Sequence, residues 1–258
     1  MIQSVGRAAR ILKALGSEAA HLGVTELAER LGLAKATVYG LLRTLEAHQL
    51  VEQDLESGKY RLGPALLQLG NAFLDNNELR ARSLLWAETL AGRAREAVHV
   101  GVLYGPNVLL VHHVFRPDNS LQILQVGASI PWHACALGKA TVAYLEPERQ
   151  AELLAGALPR LTGRTLTSPE LLEAALETVV DTGVALEDQE AIVGEAGIAA
   201  ALFDNRGAVV GAIGLAGPVE RLLPDGPATE SVAAVKEAAR GLSRELGAGR
   251  QAIRGAGA

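Results

Sequence analysis

Apolar residues recur at helical spacing in two adjacent stripes within residues 25–48. The first stripe comprises Leu27, Ala28 and Leu31, and Gly32 follows it directly. The second stripe has the spacing i, i+3, i+4, i+7 and comprises Val38, Leu41, Leu42 and Leu45. These stripes predict two short helices joined by a tight turn, with Thr25 as the N-cap of the first. This arrangement is typical of a helix-turn-helix.

The second helix of this pair carries cationic and hydroxyl side chains opposite its apolar stripe. They are Lys35, Thr37, Tyr39, Arg43 and Thr44. Side chains of these types contact phosphates and base edges when such a helix lies in the major groove of DNA. The sequence therefore predicts double-stranded DNA as a partner. The alternative is an ordinary solvated helix face.

Two short β-rich runs follow the helix pair, at residues 50–53 and 59–62, around a glycine-containing turn. Lys59 and Arg61 lie on one face of the second run, which makes that face basic. A hairpin in this position is a wing, so we predict a winged helix-turn-helix in residues 1–63.

Pro64 opens a further apolar helix, which carries Leu66, Leu69 and Phe73. We predict that this linker, residues 64–77, packs against the same helix of a second copy. The resulting homodimer would place two recognition helices on a palindromic operator. Packing of the linker on its own domain is the alternative. Arg7, on a first predicted helix, is a further candidate DNA contact.

Residues 78–247 alternate between β-rich and helical patterns. The predicted strands are 97–104, 108–116, 121–126, 183–187, 197–204 and 208–216. The predicted helices are 78–96, 136–145, 148–155, one that begins after Ser168, and 228–246. Hairpins mixed with helices indicate an antiparallel α+β domain whose helices cover the sheet. We expect residues 248–258 to form a flexible tail, because Gly and Ala predominate from Gly247 onward.

Composition is compatible with this organisation. A chain of 258 residues with 49% hydrophobic content can form two domains with buried cores. The net charge is −5, but residues 1–77 are neutral, with eight basic and eight acidic side chains. DNA binding is therefore not excluded, because phosphate contact depends on local charge. One cysteine and no signal-peptide or membrane-spanning pattern make the cytoplasm the expected location.

The chain offers no convincing catalytic or metal-binding pattern. The segment Gly138-Lys139-Ala140 lacks the other residues of a phosphate-binding loop. His99 and His113 could converge across a hairpin, so a structural metal site is an unfavoured alternative. Cys135 is predicted to be a small buried hydrophobe. We predict no enzyme activity, cofactor or metal; an enzyme and an architectural DNA-binding protein without a ligand are the alternatives.

Several segments, in the same order, resemble the IclR family of bacterial transcription regulators. They are residues 4–12, the helix-turn-helix, 58–63, 130–134, 136–140 and 198–218. The resemblance implies a winged helix-turn-helix, a dimerising linker and a GAF-like effector domain that often pairs dimers into tetramers. It also implies control of catabolic or stress-response genes, here expected to be repression, by a small organic metabolite.

The recognition helix departs from the family pattern. Where the family commonly has Ser-Thr-Val-His-Arg, this chain has Ala36 to Gly40. The change removes an arginine that is a DNA contact in such a pattern, and a glycine inside a helix costs about 1 kcal/mol relative to alanine. We therefore expect an operator preference different from that of other members.

The resemblance also implies an effector site between the segment after Trp132-His133 and the later strands. The matching positions are Ala136, Leu137, Gly138, Glu187, Gly197, Gly214 and Ala216. Family members with polar groups there have cysteine in place of Gly197 and serine in place of Gly214 and Ala216. We therefore expect a wider, more apolar pocket for a larger effector, for example an aromatic acid, with backbone N–H groups holding its polar end. Trp132 and His133 could line the pocket or serve the fold.

Overall fold

The computed structural model describes residues 2–16, 21–118, 122–123 and 125–249. The chain forms two compact units that divide between Asn76 and Asn77. This division lies beside the boundary that we predict between linker and effector domain. No helix in the described ranges is both long and apolar enough to cross a lipid bilayer.

In the residues described, the amino-terminal unit combines four helices and a two-stranded hairpin. Its elements are α1 Gln3–Leu15, α2 Val24–Leu31, α3 Lys35–Ala47, β1 Val51–Gln53, β2 Tyr60–Leu62 and α4 Ala65–Asp75. The helix pair and the wing thus lie where the sequence predicts them. The predicted N-cap is wrong: α2 begins earlier, after Gly23, because the Gly23 N–H donates to Glu26 Oε2 at 2.6 Å. Gly32 ends the helix in the left-handed conformation, at φ +65°.

The core of this unit joins all of its first three helices to the hairpin. Ile11, Leu27, Val38 and Leu42 are fully buried, and Tyr60 of the wing packs with them. β1 and β2 pair antiparallel, with Val51 opposite Leu62. The position of α3 and the wing is therefore set by one shared apolar cluster.

Helix α4 leaves its apolar side chains uncovered. None of its residues is buried, and Leu67 and Leu69 are 69% and 61% exposed. Packing on its own unit therefore has no support in the structure. Pairing with a second copy stays a prediction.

The carboxy-terminal unit contains a six-stranded sheet with helices. Its elements are α5 Glu78–Ala94, β3 Ala97–Tyr104, β4 Asn107–Val114, β5 Ser129–Pro131, a 3-10 turn Trp132–Ala134, α6 Ala136–Val142, α7 Pro147–Leu154, α8 Pro169–Thr182, β6 Ala185–Asp188, β7 Glu195–Phe203, β8 Val209–Pro218, α9 Val219–Leu222 and α10 Thr229–Glu245. The strand order is β5-β4-β3-β8-β7-β6, and every neighbouring pair is antiparallel. Helix α6 packs over β7 and β8, while α5 and α10 pack on each other and on the sheet.

The predicted strand at residues 121–126 is wrong. Gln122, Ile123, Gln125 and Val126 belong to no strand, and Leu121 and Leu124 lie outside the described residues. The Gln122 side chain instead hydrogen-bonds both backbone groups of Arg116, at 2.6 and 2.9 Å. This amide replaces the partner strand that the backbone would otherwise need. The edge strand β5 begins later, at Ser129.

The flexible tail predicted for residues 248–258 starts too early in the chain, because Ala248 is still packed. Gly247 forms a bridge with Asp204, and Ala248 is only 8% exposed because it packs near Phe203. Residues 250–258 lie outside the described part of the chain.

Two helix glycines give opposite predictions for stability. A Cβ on Gly241 of α10 would lie 2.1 Å from the indole ring of Trp86 on α5, so Gly241→Ala should destabilise the protein by about 1–3 kcal/mol. Gly92 of α5 has nothing within 4 Å of the same atom, so Gly92→Ala should stabilise by about 0.5–1 kcal/mol. Urea unfolding of both variants measures the difference, and equal stabilities would contradict this packing.

Candidate DNA-binding surface and effector cavity

The outer face of α3 presents the side chains predicted to contact DNA. Lys35, Arg43 and Thr44 are exposed, Tyr39 is 53% exposed and Thr37 is half-buried. The opposite face is buried in the core. The hydroxyl of Thr44 donates to the Gly40 carbonyl at 3.0 Å and so is engaged with its own helix. Gly40 is exposed, and a Cβ there would have no neighbour within 4 Å.

Three of the predicted basic side chains, those of Arg43, Lys59 and Arg61, are paired with nearby carboxylates. Arg43 pairs with Glu46 at 2.8 Å, and in the wing Lys59 pairs with Glu26 at 3.1 Å and Arg61 with Glu52 at 2.5 Å. Exposed ion pairs contribute about 0–1 kcal/mol each, so DNA phosphates can replace these carboxylates. Their role as DNA contacts stays a prediction.

Arg7 lies on α1. It is half-buried and donates to Gln3 Oε1 at 3.3 Å. Arg10, about one turn further along α1, donates to the Leu31 carbonyl at 2.8 Å and ties α1 to α2.

A cavity of about 70 Å³ lies in the carboxy-terminal unit where the resemblance implies an effector site. We call it the effector cavity. The predicted residues that line it are Ala136, Leu137, Glu187, Gly197, Gly214 and Ala216. His99, Gln125 and Glu195 also line it and were not predicted. For His99, the signal that could have placed it at the cavity is its position opposite Gly214 in the pairing of β3 with β8.

The remaining predicted residues support the wall behind the cavity. Trp132 is 1% exposed and belongs to the apolar core. The Nε2 atom of buried His133 lies 3.0 Å from the carbonyl oxygen of Pro159, which can only accept, so Nε2 carries the proton. A Cβ on Gly138 would lie 2.1 Å from the Trp132 carbonyl oxygen. Glycine at this position therefore lets α6 pack directly on the turn before it.

Glu187 is the main polar group of the cavity. It is 7% exposed, and its Oε1 accepts hydrogen bonds from the N–H groups of Glu190 and Ala191 at 2.8 and 3.2 Å. Burial raises the pKa of Glu187 to about 7, although these two hydrogen bonds act in the opposite direction. Its Oε2 faces Gly197, 3.4 Å from the point where a Cβ would lie.

Two further titratable groups at the cavity, His99 and Cys135, are uncharged at neutral pH. Burial, reinforced by His113, lowers the pKa of His99 to about 3. Burial raises the pKa of the Cys135 thiol to about 12, which agrees with the predicted small buried hydrophobe and disfavours a nucleophile. No lysine or arginine is among the described residues that line the cavity.

The cavity is smaller than the predicted wide pocket, whereas its lining is mostly apolar, which agrees with the prediction. Its polar side chains are those of Glu187, Glu195, His99 and Gln125. The wall is tightly packed at two glycines: a Cβ on Gly214 would lie 2.5 Å from the Ile198 carbonyl oxygen, and one on Gly197 would lie 3.2 Å from Ala136 Cβ. A larger side chain at either position would therefore require its neighbours to move.

The histidines considered for a metal site do converge. His99 and His113 are opposite each other in β3 and β4, with ring centroids 4.7 Å apart. However, His113 Nδ1 accepts from the Gln125 N–H at 3.1 Å. Within the described part of the chain, no three His, Cys, Asp or Glu side chains are grouped so as to hold a metal ion.

Family models match both units. Residues 4–55 match the IclR helix-turn-helix domain, and residues 71–244 match the model described as bacterial transcriptional regulator IclR C-terminal. The chain is 49% identical to the glycerol operon regulatory protein of Streptomyces griseus and 47% identical to that of Streptomyces coelicolor. Each alignment covers 96% of this chain and 98% of the relative.

Solved structures have the same fold. An IclR-type transcriptional regulator from Alicyclobacillus acidocaldarius matches with a TM-score of 0.80 at 27% identity, over 96% of this chain and all of that one. An IclR homologue from Microbacterium hydrocarbonoxydans, complexed with 4-hydroxybenzoate, matches with a TM-score of 0.77 at 24% identity, over 94% and 98% of the two chains.

Substitution of Gly40 should separate DNA preference from helix stability. Gly40→Arg places a long cation on the exposed face of α3 without a steric clash, so we expect a changed base preference. Gly40→Ala should keep the original preference and raise stability by about 0.5–1 kcal/mol. The measurement is selection of bound sequences from a random DNA pool with the wild type and both variants. If all three proteins select the same sequences, there is no base contact near this position.

Stability should depend on pH through Glu187. Because its folded pKa lies above the ordinary value, its protonated form stabilises the fold below pH 4.5, and this contribution is lost as pH rises through about 7. From pH 5 to pH 8 the wild type should therefore lose about 2–3 kcal/mol relative to Glu187→Gln. Denaturant unfolding of the two proteins across this pH range tests the prediction, and a constant difference between them would refute the assignment.

Proposed function

Since the chain belongs to the IclR family of bacterial transcriptional regulators, we propose that it represses an operon for glycerol use. We further propose that a small polyol in the effector cavity sets its affinity for operator DNA. The small size of that cavity carries the proposal, together with the few polar side chains in its wall. The names of the two Streptomyces relatives support it, because both are glycerol operon regulatory proteins that align over nearly their whole length.

The volume of the cavity favours a very small ligand. Because a water molecule needs about 10–15 Å³ by the same measure, about 70 Å³ accommodates roughly five water-sized groups. This is close to the skeleton of a three-carbon triol. An aromatic acid, such as the one bound by the Microbacterium homologue, would require the glycine-lined walls of the cavity to move apart.

The charge of the cavity favours an uncharged ligand. Glu187 Oε2 can accept hydrogen bonds from hydroxyl groups, and Gln125 and neutral His99 offer further polar partners. An organic acid would place a second carboxylate beside Glu187 with no lysine or arginine among the described cavity residues to neutralise it. A buried carboxylate without such a partner is costly.

The same proposal includes the assembly and the DNA contacts. The uncovered apolar side chains of α4 support a homodimer, which could pair further into a tetramer. The outer face of α3, the wing and Arg7 would contact the two halves of a palindromic operator. Neither an enzymatic step nor a cofactor is part of this function.

A DNA-binding titration tests the proposal. We expect the full chain to bind the DNA upstream of its own gene at moderate salt and to bind it less tightly when glycerol is added. Gly197→Val should keep DNA binding and lose the response, because its side chain would fill the cavity between Ala136 and Glu187. Gly163→Val is the matched control, since Gly163 has open space around it.

The outcomes separate the alternatives. A response to glycerol 3-phosphate but not to glycerol would overturn the assignment of an uncharged ligand. Specific DNA binding that no added metabolite changes would favour an architectural protein. Absence of specific binding would remove the regulator proposal itself.

A further inference from the structure

A second and larger cavity lies on the other side of strand β6. It is an open groove of about 730 Å³ between α8, β6 and α10, which we call the α8–α10 groove. Successive residues of a strand point to opposite faces, so Leu186 lines the groove while Glu187 lines the effector cavity. The groove is therefore separate from the proposed glycerol site, and the inference below does not rest on that proposal.

The middle of the groove is apolar. Val184 just before β6, Leu186 of β6 and Val232 of α10 line it, and Leu186 is 37% exposed. Apolar surface of this kind gains about 25 cal/mol for each Å² that a ligand covers. The walls thus suit the flat, apolar body of an organic molecule.

One part of the groove contains a buried ion pair with unused hydrogen-bonding capacity. Lys139 Nζ lies 2.5 Å from Glu190 Oε1, and the two side chains are only 4% and 9% exposed. Glu190 Oε2 has no hydrogen-bond partner among the described residues. Lys139 has two further N–H donors. A hydroxyl group fits here, because it can donate to Glu190 and accept from Lys139.

A second cation lines the groove at α10. Lys236 is half-buried and forms no ion pair within the described ranges. The carboxylate of Asp181 also lines the groove, but it is exposed and solvated at the rim. The half-buried cation therefore favours a ligand carboxylate over a ligand cation.

We propose that the α8–α10 groove is a second ligand site, specific for a hydroxylated aromatic acid. The ring would lie against Val184, Leu186 and Val232. The hydroxyl would bind beside the ion pair of Lys139 and Glu190, donating to Glu190 Oε2, and the carboxylate would pair with Lys236. This site accommodates the larger ligand class that the effector cavity is too small to hold.

Calorimetric titration of the full chain with 4-hydroxybenzoate tests this site. We expect binding that persists in saturating glycerol and is at least tenfold weaker in Lys236→Gln. Arg244→Gln is the matched control on the same helix, outside the groove, and should bind as the wild type does. Leu186→Glu should lose binding while its circular dichroism spectrum stays unchanged.

Three results would overturn the proposal. No measurable binding would show that the groove takes no such ligand. If Lys236→Gln and Leu186→Glu both bind 4-hydroxybenzoate as tightly as the wild type does, the acid binds elsewhere. Competition by glycerol would in that case place it in the effector cavity. Equal affinity for benzoate, which lacks the hydroxyl, would exclude the contact with Lys139 and Glu190.

Discussion

The effector cavity and the α8–α10 groove depend on how two carboxylates are buried at the end of β6. Glu187 and Glu190 could not remain buried without partners, because removing a carboxylate from water is costly. Helix α6 supplies Lys139 to Glu190, and the Glu190 N–H donates to Glu187 Oε1. Each carboxylate therefore requires the turn that follows β6 to hold one conformation.

The turn after β6 is held from several sides. Gln189 has the left-handed φ of +59°, which is unfavourable for a residue with a side chain. Hydroxyls of Thr162 and Thr165 donate to the carbonyls of Gln189 and Glu190, both at 2.7 Å. The Gln189 side chain in turn accepts from the Gly194 N–H at 3.1 Å. These contacts stabilise a backbone that would otherwise relax, and they keep the cavity walls in place.

Local patterns predicted most of the fold, whereas the volume of the site depended on contacts between distant segments. Helical stripes located α2 and α3, and Ser168 caps α8 as its sequence position suggests. The strand pairings that bring Gly197 opposite Glu187 and Gly214 opposite His99 cannot be obtained from periodicity. The family resemblance located the lining residues, but it could not show how closely the backbone packs around Gly197 and Gly214. The same limit applies to the wing, where Lys59 meets Glu26 of α2.

Strand β6 contacts two sites of very different size, because Leu186 lines the α8–α10 groove and Glu187 lines the effector cavity. A ligand in the α8–α10 groove would bind the Glu190 side chain, and the backbone of that same residue holds the carboxylate of Glu187, 2.8 Å away. Any ligand that shifts Glu190 therefore changes the position of the main acceptor in the effector cavity. Because coupling between two binding equilibria is reciprocal, a polyol in the cavity would alter the affinity of the groove by the same factor. The turn that follows β6 would thus connect two ligands that never touch, because Glu190 contacts one of them and positions Glu187 for the other.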